Sequence, residues 1–168
     1  RPPPRSTLFP YTTLFRSNQH RSGGRREEPL TPEAVGRGIE GALSSRRLRL
    51  GTKVEVAFYG GSFTALPLAR QTGLLDAVRT YLQRNLVHAI RLSTRPDALG
   101  DNQIGFLRAR GVETIEIGAQ SFDDQVLLAA GRGHSARDAV EAAARVKAAG
   151  LRLGLQLLPG LPGETPAS

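Results

Sequence analysis

The chain of 168 residues has no cysteine. That absence excludes disulfides and any thiolate metal site. Its histidines are His20, His88 and His134, too scattered in sequence to suggest a metal cluster. No apolar run is long enough to cross a bilayer. No N-terminal apolar segment with a small-residue cleavage site is seen, so the chain reads as cytoplasmic, with no membrane partner. Acidic residues are the minority, 15 against 23 lysines and arginines, for a net charge of +8. Arg1, Arg5 and Arg16 supply three of those positives, which leaves +5 beyond residue 17. A basic excess of this size fits a nucleic-acid partner and plain solubility equally well.

Thr7 to Ser17, Thr-Leu-Phe-Pro-Tyr-Thr-Thr-Leu-Phe-Arg-Ser, resembles the in-frame translation of a sequencing adapter. The stretch carries neither a helical nor a strand period. Residues 1–17 are therefore expected to be an artefactual, disordered segment, and residues 18–168 a partial core domain. Asn18 to Pro29 is polar and reads as a loop.

Beyond it, helical and strand signals alternate. Thr31-Pro32-Glu33 is a helix start, with a hydroxyl N-cap, proline at the first position and an acid in the first turn. That helix is expected to reach about Arg47. Strands are expected at Val54–Tyr59, Ala89–Thr94, Val112–Ile117 and Leu151–Leu158. Helices are expected from Pro67 to near Asn85, over Asp101–Arg110 with Gly111 as cap, over Asp123–Ala130, and over Ser135–Ala149. The strands read as apolar with little strict alternation, as buried parallel strands do. The pattern is α/β with four parallel strands, a fragment of a partial (β/α)6-type TIM-like barrel. The ending Gly163-Glu164-Thr165-Pro166-Ala167-Ser168, just after a strand, reads as a truncation.

In parallel α/β folds, ligand residues gather at the carboxyl ends of strands. Here those ends carry Gly60, Gly61 and Ser62; Ser93, Thr94 and Arg95; Gln120 and Ser121; and Gln156 before a Pro-Gly turn. Each has a plain structural reading as well. Glycines after a strand make a turn, Ser-Thr-Arg-Pro ends a strand, and Gln120-Ser121 caps a helix. Jointly, they would place polar groups on one rim. Ser62-Phe63-Thr64-Ala65-Leu66 has no lysine to neutralise a phosphate and is not a P-loop.

Five blocks carry a resemblance. They are Phe58–Thr64 (Phe-Tyr-Gly-Gly-Ser-Phe-Thr), Ile90–Asp97 (Ile-Arg-Leu-Ser-Thr-Arg-Pro-Asp), Ile115–Ser121 (Ile-Glu-Ile-Gly-Ala-Gln-Ser), Arg132-Gly133-His134, and Gly154–Gly163. In this order and spacing they resemble the radical S-adenosylmethionine superfamily, and within it bacterial proteins similar to the catalytic subunit of Elongator. The resemblance spans roughly Asn18 to Thr165. It implies S-adenosylmethionine as a cofactor. Gly60, Gly61 and Ser62 then match the motif that receives the methionine amino group, an ammonium that needs carbonyl and hydroxyl acceptors. Ser93 matches a position facing the ribose or methionyl part, where many relatives carry an acid. Gln120 matches a ribose contact, and Gln156 a strand residue near the adenosyl group. Arg132 matches an arginine that pairs with the carboxylate, a task suited to a guanidinium fork; read alone, it is a solvated helix-end cation.

The family also holds a 4Fe-4S cluster on Cys-x3-Cys-x2-Cys, and reductive cleavage of S-adenosylmethionine there releases a 5′-deoxyadenosyl radical. In the resembling proteins the last cysteine precedes Asn-Gln; here Ser17 precedes Asn18-Gln19. A serine hydroxyl is too weakly acidic and too hard a donor to replace a thiolate on iron. No metal ligand is therefore assigned, and the chain as it stands is expected to be inactive. For the intact parent, the resemblance implies tRNA wobble-uridine modification, a tRNA partner, and an electron donor such as flavodoxin or ferredoxin. The alternative from a different class is a non-catalytic α/β RNA-binding module.

Overall fold

The computed structural model describes residues 11–16, 30–44 and 53–165. The expected loop Asn18–Pro29, the Ser17/Asn18 boundary, the stretch 45–52 and the last three residues lie outside them. Among the described residues, five strands form one parallel sheet in the order β1-β2-β3-β4-β5. They are β1 Tyr11–Arg16, β2 Val54–Tyr59, β3 Ala89–Thr94, β4 Val112–Gln120 and β5 Arg152–Leu157. The helices are α1 Pro32–Leu43, α2 Leu68–Gln83, α3 Asp101–Arg108, α4 Asp124–Ala129 and α5 Ala136–Ala148. The parallel α/β arrangement expected from sequence is the one observed.

Local chemistry accounts for the helix ends. The Thr31 hydroxyl accepts from the Ala34 N–H at 3.2 Å, and Pro32 opens α1. Val35 and Ile39, one turn apart, are fully buried. α1 ends at Leu43, closed by Ser44, and residues 45–47 of its expected reach lie outside the described residues. Asp123 caps α4 through its carboxylate. Ser135 and Asp138 form a reciprocal capping box on α5. α1, α2, α3 and α5 lay Val35, Leu74, Leu75, Val78, Ile104, Leu107, Ala142 and Val146 against one face of the sheet, which contributes Val56, Phe58, Ile90, Leu92, Ile115 and Ile117.

Two expectations need correction. Residues 11–16, expected to carry no element, pair in parallel with β2, from Tyr11 opposite Val54 to Arg16 opposite Tyr59. Tyr, Thr, Leu and Phe are strand formers, and β2 otherwise presents an unpaired edge. The strands also alternate more strictly than the sequence reading held. Val54, Val56 and Phe58 face the helices, while Glu55 and Tyr59 belong to the polar face. Arg91, Glu116 and Gln156 repeat the pattern on β3, β4 and β5.

Candidate functional site

β2 delivers its chain to Gly60 and Gly61, whose φ values of 91° and 149° lie where a side chain is strained. The turn Phe63–Ala65 follows. Phe63 is fully buried and packs on Phe58 with ring centroids 5.1 Å apart. The Thr64 and Thr94 hydroxyls hydrogen-bond, tying the loop after β2 to the end of β3. Gln71 of α2, only 2% exposed, donates to the Thr64 and Leu66 carbonyls at 3.1 and 2.7 Å. Gln103 of α3 donates in turn to the Gln71 carbonyl at 2.7 Å. The glycine loop is thus held from behind by a chain of amides.

At the end of β3, the Ser93 hydroxyl is buried and donates to the Gly61 carbonyl at 3.4 Å. Arg95 pairs with Asp97 through two hydrogen bonds, of 2.9 and 2.8 Å, and reaches the Gly133 carbonyl at 3.5 Å. β4 runs past its expected end at Ile117 as far as Gln120. Gln120 has φ 69°, rare for a side-chain-bearing residue, and the Ser121 N–H bonds back to the Ala119 carbonyl at 2.9 Å. Such conformations persist where the surroundings enforce them. The Leu158 N–H donates to the Gln120 carbonyl at 2.9 Å and supplies part of that enforcement. A Cβ on Gly118 would stand 2.8 Å from Gln120 Nε2, so this glycine leaves the space the amide occupies.

After α4 the chain returns to the same rim. His134 Nε2 lies 3.1 Å from the Ala119 carbonyl, which can only accept, so Nε2 carries the proton. Its Nδ1 and the Nε of Arg132 are buried without a hydrogen-bond partner among the described residues. A buried guanidinium N–H with no acceptor costs free energy unless a ligand supplies one.

These strand ends enclose a cavity of about 660 Å³. Gly60, Gly61, Ser62, Ser93, Gln120, Arg132 and Gln156 all line it, so the seven residues matched to the cofactor are brought to one place, while Ser121 is not among the lining and accepts from the Asp123 N–H instead. Tyr59, Thr94, Arg95 and His134 join them.

Beneath the cavity runs a network that sequence reasoning missed. Glu55, 2% exposed, pairs with Arg91 at 3.0 Å, and Arg91 pairs with Glu116 at 2.8 Å. Glu116 also accepts hydrogen bonds from Tyr59 Oη and, at 2.7 Å, from Gln156 Nε2. Burial opposes ionisation of Glu116, but the hydrogen bonds from Tyr59, Gln156 and Arg91 outweigh it and hold the carboxyl below its usual value. The Tyr59 phenol is pushed up to about 12, by burial and then by its bond to Glu116. The signal was present in the chain. Each of Val-Glu-Val, Ile-Arg-Leu, Ile-Glu-Ile and Leu-Gln-Leu sets one polar residue between apolar neighbours, which marks a strand with one face toward a polar interior.

The pattern of the Radical SAM superfamily matches residues 16–168. The chain belongs to that superfamily. This radical SAM chain is 28% identical to a tRNA uridine(34) acetyltransferase of Methanocaldococcus infernus, over 67% of its own length and 24% of the relative's. It is 36% identical to the heme chaperone HemW of Escherichia coli, over 68% of its own length and 31% of the relative's. Among solved structures it is similar to the Methanocaldococcus infernus Elp3 with an N-terminal deletion. That match has a TM-score of 0.64 and 26% identity, and covers 80% of this chain and 35% of the other. It shares its fold with the radical SAM enzyme HemN of Escherichia coli, at a TM-score of 0.64 and 20% identity over 95% of this chain and 39% of the other. The chain thus spans about a quarter to two fifths of the length of these relatives.

The two cofactors of the superfamily fit this chain differently. The cavity offers an unpaired buried guanidinium N–H, open glycine backbone, a hydroxyl at Ser62 and amides at Gln120 and Gln156. That donor and acceptor set suits a ligand combining an amino acid with a nucleoside. For a 4Fe-4S cluster the chain supplies no thiolate at all. Among the described residues, no group of three His, Asp or Glu side chains could hold a metal ion in its place.

Proposed function

We propose that the cavity binds S-adenosylmethionine, and that this chain does not cleave it. The observation that carries the reading is the Arg132 guanidinium, whose buried Nε lacks an acceptor beside a cavity lined by Gly60, Gly61 and Ser62. A carboxylate supplies that acceptor, and the glycine loop takes the adjoining ammonium. Ser93 keeps its hydroxyl on the Gly61 carbonyl and so steadies the loop. Gln120 and Gln156 are left for the nucleoside. S-adenosylmethionine supplies this superfamily with a carbon-centred radical on one-electron reduction, and the cluster that delivers the electron has no ligands here.

The test is titration of the 168-residue chain with S-adenosylhomocysteine and with its decarboxylated analogue. The intact compound is expected to bind at least about tenfold more tightly, since hydrogen bonds to charged groups contribute roughly 1.5–3 kcal/mol. In Arg132→Met that preference is expected to vanish. Equal affinity for both compounds in the unaltered chain would sink the carboxylate assignment. After anaerobic incubation with iron, sulfide, reductant and S-adenosylmethionine, no 5′-deoxyadenosine is expected; its catalytic appearance would refute the claim of inactivity.

For the parent protein, the relatives named tRNA uridine(34) acetyltransferase support a tRNA uridine as the substrate. With a Cys-x3-Cys-x2-Cys segment placed before Asn18, the reconstituted protein is expected to cleave S-adenosylmethionine faster beside a tRNA bearing uridine 34 than beside one bearing cytidine there. Equal rates would remove the tRNA assignment.

A further inference from the structure

Glu116 and Gly154 are partners in the register of β4 and β5. A Cβ at position 154 would stand 2.8 Å from Glu116 Cγ, so the glycine leaves the space that the Glu116 side chain fills. In that space Glu116 Oε1 receives Tyr59 Oη and Arg91 Nη1, and Oε2 receives Gln156 Nε2 at 2.7 Å. Three strands therefore converge on one carboxylate that is 14% exposed.

An ionised carboxylate only accepts hydrogen bonds. An amide offers two donors on nitrogen and an acceptor on oxygen, and its two ends differ only in which way the group is turned. The Gln156 amide must present its NH2 to Glu116. Its carbonyl oxygen is then the end left for the cavity that Gln156 lines. We infer that Glu116 is a positioning residue that locks the Gln156 amide in one orientation, so that the ligand group placed against its carbonyl oxygen must be an N–H or O–H donor. The inference rests on reading the cavity as a site for a nucleoside-bearing ligand. The candidate donors are then the ribose hydroxyls and the exocyclic amine of the base. A buried acceptor left without its donor costs more than the bond itself contributes, which is how such a site discriminates.

Glu116→Gln removes the lock. An amide at position 116 both donates and accepts, so Gln156 can turn either way. Gln156→Met removes the carbonyl while leaving the Arg91–Glu116 pair in place, and it serves as the second variant if the first folds poorly.

The experiment is NMR of the 15N-labelled 168-residue chain, with the Gln156 side-chain amide assigned by its loss in Gln156→Met. Without ligand, one amide proton is expected to exchange with water at least about tenfold more slowly than in Glu116→Gln. S-adenosylhomocysteine is then titrated beside its 2′-deoxy, 3′-deoxy and 6-desamino analogues. One of the three is expected to bind the unaltered chain about tenfold more weakly than the parent compound, and less than threefold more weakly in both variants. A Gln156 amide unchanged by Glu116→Gln overturns the lock. Analogue losses that are the same in all three proteins overturn the donor assignment. No binding of S-adenosylhomocysteine to the unaltered chain, with the amide still protected, overturns the reading of the cavity and leaves the lock standing.

Discussion

Gly154 and Gly118 form a matched pair of perturbations. An added Cβ would meet a neighbour at 2.8 Å in each case, yet the neighbours differ. At Gly118 the neighbour is Gln120 Nε2, the far end of a side chain with several rotatable bonds. At Gly154 it is Glu116 Cγ, with Glu116 Cβ and Cα at 3.5 and 3.6 Å behind it. The first can swing away; the second is held between its own backbone and three hydrogen-bonding partners. Neither glycine has a positive φ, so alanine gains about 0.4–1 kcal/mol at either position from a less flexible unfolded chain.

In Gly118→Ala the displaced amide costs roughly as much as that gain, on the order of 0.5–1.5 kcal/mol for an off-rotamer side chain. Stability should stay within about 1 kcal/mol of the unaltered protein, while affinity for S-adenosylhomocysteine falls. In Gly154→Ala, overpacking costs about 1–3 kcal/mol. Shifting Glu116 also loosens charge-assisted bonds of roughly 1.5–3 kcal/mol each. Even with one bond only partly lost, the net destabilisation is about 2 kcal/mol. For a chain of this size that lowers the melting temperature by roughly 4–8 °C, measured by circular dichroism. The reasoning is refuted if Gly154→Ala melts at or above the unaltered protein, or if Gly118→Ala falls as far.

Other outcomes follow from the same geometry. The carboxyl of Glu116 titrates below its unfolded value, so its contribution is full above about pH 4.3 and fades as pH falls through the lower folded value. Glu116→Gln should flatten that part of an acid denaturation profile, and an unchanged profile would count against the network. The Tyr59 phenol runs the other way: its stabilisation is full below about pH 10 and is lost as pH rises through about 12. Tyr59→Phe should delete the late tyrosinate absorbance step from an alkaline titration. Ser135→Ala breaks the capping box on α5 and should cost about 1 kcal/mol in urea unfolding. Gln71→Leu should weaken S-adenosylhomocysteine binding without any contact to it, because Gln71 holds the Thr64 and Leu66 carbonyls behind the glycine loop.

The elements were legible because their boundaries are written in local chemistry. Thr31-Pro32 and Ser135 with Asp138 act within a turn of their own positions, and α1 and α5 start where they stand, whereas α3 stops at Arg108 with Ala109 as its cap, short of the expected Arg110 and Gly111. The rim residues were legible because strand ends in a parallel sheet must gather on one side. What escaped notice depends on non-local pairing. Glu116 is one polar residue in an apolar strand until β2, β3 and β5 bring Tyr59, Arg91 and Gln156 to it from 57, 25 and 40 positions away. The extension of β4 to Gln120 escaped for a similar reason. A side-chain-bearing residue at φ 69° is held by a bond from Leu158, which no local signal announces.

Strand β1 separates the frame of the site from its reactivity. Pairing with β2 uses only the N–H and C=O groups that every residue except proline carries, so a segment of strand-forming residues can occupy that edge whatever its origin. The described lining of the cavity runs from Tyr59 to Gln156. In the proposed reading the ligand is held by residues of β2 to β5 and of the loops that follow them. Reduction of a bound sulfonium depends on three thiolates, a requirement that no backbone ladder can meet and that a chain without cysteine cannot satisfy. In the proposed reading the sheet holds the ligand without activating it, because recognition is built from amides, hydroxyls and a guanidinium, whereas activation is built from sulfur.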